Sequence, residues 1–203
     1  MKPNSEKHYR RSMRLKYHDY SQAGGYFVTI CAHNMKSVFG DVVKGEMVLS
    51  EYGKIVNKFW NKIPIRFSNV EIDWLVVMPN HVHGVIIINN ECRGGVSPPH
   101  SQGEATSPLQ NPTLGQIIAY FKYQTAKLIN QIRKMPRASV WQRNYYEHVI
   151  RNEDKLNKLR YYIQTNPLKW HRDRENPERT GSDRLEDEIF RNVETNKIPL
   201  YSK

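Results

Sequence analysis

The chain has few cysteines and no long apolar run, and both absences limit what it can be. Only two of its 203 residues are cysteines, Cys31 and Cys92, which is too few for a disulfide framework. We therefore expect reduced thiols in a cytosolic protein. No run of 18 apolar residues occurs, and the first twenty residues lack the apolar core of a signal peptide. We expect neither a membrane span nor secretion by that route.

Acidic residues are scarce relative to basic ones. The chain has 31 lysines and arginines against 20 aspartates and glutamates, which gives a formal net charge of +11. This excess favours a polyanionic partner, most often nucleic acid, because basic side chains neutralise phosphates and release counterions. The alternative is a basic protein that is merely soluble. Twelve tyrosines and four tryptophans accompany the cations, and aromatic rings beside cations suit unstacked bases better than a smooth duplex.

Composition divides the chain into three parts. Residues 1–20 form a basic arm that either grips phosphate or is a solvated tail, and its candidate DNA contacts are Arg10, Arg11 and Arg14. Residues 21–170 form one domain, which is interrupted at 91–112 by a segment rich in glycine, proline, serine and threonine that we expect to be a mobile loop. Residues 171–203 form a charged tail, with one further helix expected near 183–193.

The hydrophobic patterns predict four strands and three helices in the domain. The strands are expected at 26–32, 70–77, 81–88 and 145–150, with a hairpin-like link at 44–49. The helices are expected at 51–63, 114–132 and 153–166, with N-caps at Ser50, Thr113 and Asn152 and stops at Pro64 and Pro167. The order βαββαβ plus one helix indicates an α+β, ferredoxin-like fold with two helices on one face of an antiparallel sheet. The other face would be free for ligand, with the last helix near it.

Two histidines open the third predicted strand. Side chains alternate between the faces of a strand, so His81 and His83 point to the same face, roughly 6.5–7 Å apart along the strand. That spacing allows both imidazoles to bind one metal ion. An isolated His-x-His pair is more often a strand end with one buried and one exposed histidine. His33, at the end of the first strand, is either a third ligand or a structural or solvated side chain.

The third helix carries a second polar pair. Tyr162 and Asn166 are four residues apart and share one side of the helix. Tyr162 lies about 60° from Leu159 on the helical wheel, at the margin of the buried stripe, whereas Tyr161 points about 100° away from Tyr162. Taken alone, Tyr162 would be read as an amphipathic ring that covers the edge of the core.

In combination, these motifs resemble those of the single-tyrosine HUH transposases, and most closely the REP-associated tyrosine transposases. The resemblance rests on the Pro-Asn-His-Val-His segment at 79–83, on Trp-Gln at 141–142 with His-Val-Ile-Arg at 148–151, and on Tyr-Ile-x-x-Asn-Pro at 162–167, with the asparagine four residues after the tyrosine. It covers roughly residues 20–170. The fold of that family is the ferredoxin-like sheet that the periodicity predicts.

The resemblance implies an enzyme that cleaves and rejoins single-stranded DNA beside a hairpin, without ATP. It implies that Tyr162 is the nucleophile and forms a covalent 5′-phosphotyrosine. It further implies that His81, His83 and Asn166 bind a divalent metal, Mg²⁺ or Mn²⁺. We expect a cytoplasmic bacterial protein, nucleoid-associated when bound to DNA, that is a monomer or a homodimer. The loop at 91–112 and the long tail depart from a minimal member of the family.

Three further basic residues are candidate DNA contacts, and two alternative functions stay open. Lys122, Lys127 and Arg143 are candidate DNA contacts, although a solvated basic face is the simpler reading of the helical lysines. The protein could instead be a metal-dependent hydrolytic nuclease, or a non-catalytic binding protein with an RRM-like sheet. RRM domains stack bases on aromatic residues of their central strands, and the third strand here, 81–88, has no aromatic ring.

Overall fold

A computed structural model describes residues 22–90 and 112–194, with side chains described up to Phe190 at the C-terminal end. Nearly all of the predicted loop at 91–112 lies outside the described residues, as do three of the predicted DNA contacts, Arg10, Arg11 and Arg14. Within the described ranges, none of the helices has the length and apolar character needed to cross a membrane.

Six strands and five α-helices make up the described chain. The strands are β1 (Gly24–Cys31), β2 (Gly40–Val43), β3 (Glu46–Leu49), β4 (Val70–Val77), β5 (His81–Ile88) and β6 (Tyr146–Ile150). The helices are α1 (Glu51–Trp60), α2 (Ile63–Arg66), α3 (Leu114–Ile132), α4 (Glu153–Thr165) and α5 (Arg184–Glu194). Two short 3₁₀ helices lie at His33–Met35 and Pro167–Arg172.

The main sheet has the strand order β4-β5-β1-β6, and every neighbouring pair is antiparallel. Together with the helices between the strands, this is the βαββαβ order of a ferredoxin-like fold. The predicted α+β class and ferredoxin-like sheet are therefore confirmed. Strands β2 and β3 form a separate hairpin, of which the sequence analysis recognised only a hairpin-like link.

The helix starts follow the capping residues, whereas one helix end was misplaced. Ser50 accepts the backbone N–H of Gly53, and Thr113 and Gln116 form a complete capping box. The first helix ends at Trp60, not near residue 63, and Pro64 lies in the first turn of α2. Proline is tolerated there because the first helical N–H groups have no partner within the helix.

The larger core lies between the sheet and helices α1 and α3. From β5 it receives Val82 and Ile86, which alternate with the histidines. Gly84 lies between them and faces the indole of Trp60, which is fully buried and packs edge-on against Phe121 at 5.3 Å between ring centroids. A side chain at position 84 would occupy the space of this indole.

Replacing Gly84 with alanine is expected to destabilise the fold by about 1–3 kcal/mol, because the new Cβ would lie 2.3 Å from Cζ2 of Trp60. Thermal denaturation should show a melting temperature lowered by roughly 3–10 °C. A double-mutant cycle provides the control, since Trp60→Phe removes the clashing atoms. If Gly84→Ala costs as much with phenylalanine at position 60 as with tryptophan, contact with this indole is not the cause.

The opposite face of the sheet is covered, contrary to the expectation that it would be free for ligand. Helices α4 and α5 pack there and form a second, smaller core with residues of β1 and β5. This core contains Phe27, Val85, Leu159, Tyr162, Ile163, Ile189 and Phe190. The odd-numbered residues of β5 face this layer, so both histidines project under α4. Helix α5 contributes to this cover because Ile189 and Phe190 bury their apolar side chains in the second core. The charged residues around them in the sequence hide this pattern.

Candidate metal and tyrosine site

The two histidines of β5 are fully buried and their rings meet. In the antiparallel pairing with β1, His81 lies opposite Cys31 and His83 lies opposite Thr29. Their Nε2 atoms are 2.9 Å apart, closer than the backbone spacing along the strand, because the rings lean towards each other. Neither imidazole has any exposed surface. The pair therefore presents two ring nitrogens to one point beneath α4.

Side chains behind the histidines orient both rings. Asn80 donates from Nδ2 to the carbonyls of Met35 and Glu175, so its Oδ1 accepts the Nδ1–H of His81 at 2.8 Å. This tautomer leaves Nε2 of His81 with a free lone pair. Nδ1 of His83 lies 2.8 Å from the hydroxyl of Thr29, which is able to donate or accept. Such partners fix the ring orientation of metal-binding histidines.

A carboxylate completes the group. Oδ2 of Asp173 lies 3.8 Å from Nε2 of His81 and 3.9 Å from Nε2 of His83, and its side chain is buried. A point about 2.1 Å from all three atoms satisfies these separations, within the bond lengths that small divalent cations make with nitrogen and oxygen ligands. The residues present therefore fit a divalent metal. They also provide one negative charge to compensate it.

Asn166, the predicted third ligand, contacts the carboxylate of Asp173. Its Nδ2 donates to Oδ2 of Asp173 at 2.7 Å, and the backbone N–H of Glu175 donates to the other carboxylate oxygen. Oδ1 of Asn166 is buried and has no hydrogen-bond partner among the described residues. The amide thus positions the carboxylate in this structure, and a direct role of Asn166 in metal binding stays a prediction.

Tyr162 projects from α4 into the same group. Its hydroxyl lies 3.2 Å from Nε2 of His83 and donates to Oε1 of Glu186 at 3.0 Å. The side chain is 2% exposed, so it is fully buried and not at the margin of the core. Tyr161, the neighbouring residue, is 55% exposed and points away. The helix therefore brings only one of the two tyrosines to the histidines.

Burial sets the protonation of the site. The pKa of His81 falls to about 3, first because burial disfavours the imidazolium and second because His83 is adjacent. His81 is therefore neutral at neutral pH, as a metal ligand must be. The pKa of Tyr162 is raised well above 10, mainly by burial and further by the carboxylates of Asp173 and Glu186. In this closed arrangement the tyrosine is a neutral phenol.

The segment predicted as a charged tail supplies two of the acids at the site, Asp173 and Glu186. Glu186 also accepts the backbone N–H of Arg174, and burial raises its pKa. Sequence reasoning missed both residues because this stretch is dense in charge and lacks a long apolar pattern. One local signal was available: Asp183 caps α5 by accepting the N–H groups of Leu185 and Glu186.

The other predicted site residues are distributed differently. Lys127 and Arg143 are exposed, whereas the ammonium group of Lys122 donates to the carbonyls of Gln142, Arg143 and Asn144. Burial lowers the pKa of Lys122 to about 8. In this structure Lys122 therefore holds the loop before β6, and its contact with DNA stays a prediction. His33 is exposed and lies outside the buried group of His81, His83 and Asp173.

The fold and the site together define a ferredoxin-like α+β protein with a buried histidine pair facing a helical tyrosine. The structure is similar to that of a REP-associated tyrosine transposase bound to a REP hairpin, with a TM-score of 0.53 and 19% identity. The match covers 77% of this chain and 74% of that chain. At this identity the comparison establishes the fold. The resemblance to the single-tyrosine HUH transposases is thus confirmed at the level of the fold.

A sequence relative places the chain in a family. An uncharacterized protein of Haemophilus influenzae is 39% identical over 175 residues, which cover 85% of this chain and 96% of the relative. The chain belongs to the family of this protein. No family model matches the chain.

Proposed function

We propose that this protein is a metal-dependent DNA transesterase that cleaves and rejoins single-stranded DNA beside a hairpin, with Tyr162 as nucleophile. One observation carries the proposal: the hydroxyl of Tyr162 lies 3.2 Å from His83, at the edge of the buried group formed by His81, His83 and Asp173. The transposase fold and the net charge of +11 support a DNA substrate. The solved neighbour was bound to a REP hairpin.

In this proposal the side chains of the site have separate roles in metal binding, orientation and attack. His81, His83 and Asp173 would hold Mg²⁺ or Mn²⁺, which when bound would stabilise negative charge on the phosphate oxygens and on the leaving oxygen. Asn80 and Thr29 orient the two rings, and Asn166 orients the carboxylate. Tyr162 lies on a helix packed against the sheet, which keeps its hydroxyl close to the ligands.

In the proposed step, Oη of Tyr162 forms a bond to phosphorus as the bond from phosphorus to the 3′-oxygen breaks. The phenol loses its proton and the leaving 3′-oxygen gains one, which gives a 5′-phosphotyrosine and a free 3′-hydroxyl. The number of phosphoester bonds is unchanged, so a 3′-hydroxyl can later attack the phosphotyrosine and restore a DNA strand. This conservation of bond energy distinguishes transesterification from hydrolysis.

Entry of DNA requires movement of the layer that covers Tyr162. The tyrosine is 2% exposed and its hydroxyl is held by Glu186 of α5. At its surface α5 is tied by an ion pair between Lys158 and Glu188, both about half exposed, and Asp183 at its N-cap pairs with Lys169. The exposed pair of Lys158 with Glu188 contributes only about 0–1 kcal/mol. The proposed site of action is the bacterial cytoplasm, on the nucleoid when DNA is bound, as a monomer or homodimer.

Covalent trapping tests this proposal. The full chain is incubated with Mn²⁺ and single-stranded hairpin oligonucleotides taken from the flanks of its own gene, and the products are resolved on a denaturing gel. With a 3′-end label, we expect a protein band shifted by the attached DNA. With a 5′-end label, we expect a shortened free oligonucleotide whose 3′-hydroxyl a polymerase extends.

The alternatives give different products. Hydrolysis would release both fragments free of protein, whichever end carries the label. A non-catalytic binding protein would shift the oligonucleotide on a native gel and leave it intact on the denaturing gel. Either result would overturn the tyrosine mechanism.

A further inference from the structure

Beside Tyr162, one aromatic ring of α5 fills a space between three others. The ring of Phe190 lies 4.7 Å from Tyr146, 6.2 Å from Phe27 and 6.3 Å from Tyr162, measured between ring centroids. Phe27 also contacts Tyr146 and Tyr162, at 6.3 and 6.2 Å. We call the space bounded by Phe27, Tyr146 and Tyr162 the aromatic slot. Phe190 is its occupant in this structure.

A guanidinium covers the occupant. Cζ of Arg174 lies 4.2 Å from the centroid of the Phe190 ring, a short cation–π distance. Arginine planes stack in the same way on nucleobases, and aromatic side chains provide the other surface of such sites. The slot and its cover therefore have the composition of a site for a single unstacked base. Phenylalanine reproduces the flat shape of a base but not its polar edge.

One wall of the slot has an unsatisfied polar atom. The hydroxyl of Tyr146 is buried and has no hydrogen-bond partner among the described residues. A buried hydroxyl without a partner costs about 1–3 kcal/mol, so such groups are uncommon in folded proteins. Phe190, its closest aromatic neighbour, has no donor or acceptor to offer. The edge of a nucleobase has both.

The position of the slot links it to the reaction. Tyr162 forms one of its walls, and Thr29, which orients His83, pairs with Tyr146 across strands β1 and β6. A base in the slot would thus be near the phosphate that Tyr162 attacks. We propose that the aromatic slot binds one nucleobase adjacent to the scissile phosphate, and that Phe190 occupies the place of that base while α5 is closed. This inference rests on the proposed function for the identity of the strand.

Fluorescence of 2-aminopurine tests the slot. Single-stranded oligonucleotides from the same hairpin flanks are made with 2-aminopurine at successive positions and mixed with the full chain carrying Tyr162→Phe, which retains the ring wall. When the chain carries Phe190→Ala as well as Tyr162→Phe, we expect strong quenching of 2-aminopurine at one position of the strand only. We also expect strand affinity to rise about tenfold, because the base no longer competes with Phe190.

Variants of Tyr146 distinguish a base-binding site from a gap that is merely opened by the loss of Phe190. Tyr146→Ala should abolish the quenching. Tyr146→Phe should retain it but reduce the preference among the four bases at that position about fivefold or more, because only the hydroxyl is lost. The matched controls are Leu185→Ala, which loosens α5 without emptying the slot, and the Ala and Phe substitutions of Tyr123, a 63% exposed tyrosine on α3.

Each of the following results would overturn the inference: quenching at no position or equally at all positions, quenching that survives Tyr146→Ala, or the same gain in affinity from Leu185→Ala as from Phe190→Ala. Failure to bind any of the strands would do so as well. The readout does not require cleavage. Quenching in the variants, without a covalent adduct in the wild type, would support the slot and refute the proposed reaction. An adduct in the wild type, without quenching in the variants, would support the reaction and refute the slot.

Discussion

Replacing Tyr162 with phenylalanine is expected to abolish the covalent protein–DNA adduct and to lower strand cleavage by at least about 10³-fold. The substitution removes only the nucleophilic oxygen. The ring remains packed near Phe27, at 6.2 Å between centroids, and keeps its place in the second core. Loss of the hydrogen bond to the buried Glu186 should cost about 1–3 kcal/mol, which is too little to explain a complete loss of activity through unfolding. The assay is formation of the adduct from 3′-end-labelled hairpin DNA.

Tyr161→Phe is the matched control, since the two tyrosines are adjacent on α4 and Tyr161 is 55% exposed. We expect this variant to form the adduct within about twofold of the wild-type rate. Circular dichroism and native-gel binding of the hairpin establish that both variants fold and bind. If the Tyr162 variant still forms the adduct while the Tyr161 variant does not, the nucleophile has been assigned to the wrong residue.

The shared face of the two histidines and the separation of the two tyrosines were predictable because regular elements have fixed periods. Alternation along β5 places His81 and His83 on one face, and the helical repeat separates Tyr162 from Tyr161. Capping chemistry is equally local, so the starts of α1, α3 and α4 followed from Ser50, Thr113 and Asn152. These predictions needed no information from distant parts of the chain.

The contribution of the C-terminal segment was not predictable in the same way. Asp173 reaches the histidines from about ninety residues away, and its place depends on the 3₁₀ helix at Pro167–Arg172 and on the amide of Asn166. Helix α5 was expected near 183–193, but nothing local indicated that Ile189 and Phe190 would cover the sheet. Long-range packing of a charged segment leaves little trace in hydrophobic periodicity.

The lysine of α3 makes contacts that the sequence pattern did not predict. A cation on the polar face of a helix is normally solvated, and the pattern cannot show that an adjacent loop turns three carbonyls towards it, as happens at Lys122. Hydrogen bonds from a side chain to a distant backbone depend on the tertiary path of that backbone. Such contacts decide whether a basic residue is free for DNA.

Replacing Asp173 with asparagine is expected to weaken Mn²⁺ binding by about 100-fold or more, because it removes the only carboxylate of the His81–His83–Asp173 group. Asn166→Ala should weaken binding less, by about 10-fold, since its amide acts on the metal through Asp173. Titration calorimetry with Mn²⁺ and the full chain, in the absence of DNA, measures both values. The ranking of the two variants decides between the carboxylate that the structure places beside the histidines and the amide that the sequence predicts.

Two controls define the range of this measurement. His83→Ala should abolish specific binding, and Asp41→Asn, at an exposed acid of the β2–β3 hairpin, should leave it unchanged. If Asn166→Ala weakens Mn²⁺ binding more than Asp173→Asn does, the buried Oδ1 of Asn166 is the third ligand. Asp173 would then be a residue that withdraws with the C-terminal segment when the site opens. Equal and small effects from both would leave the two histidines as the main protein ligands, with the remaining metal positions taken by DNA and water.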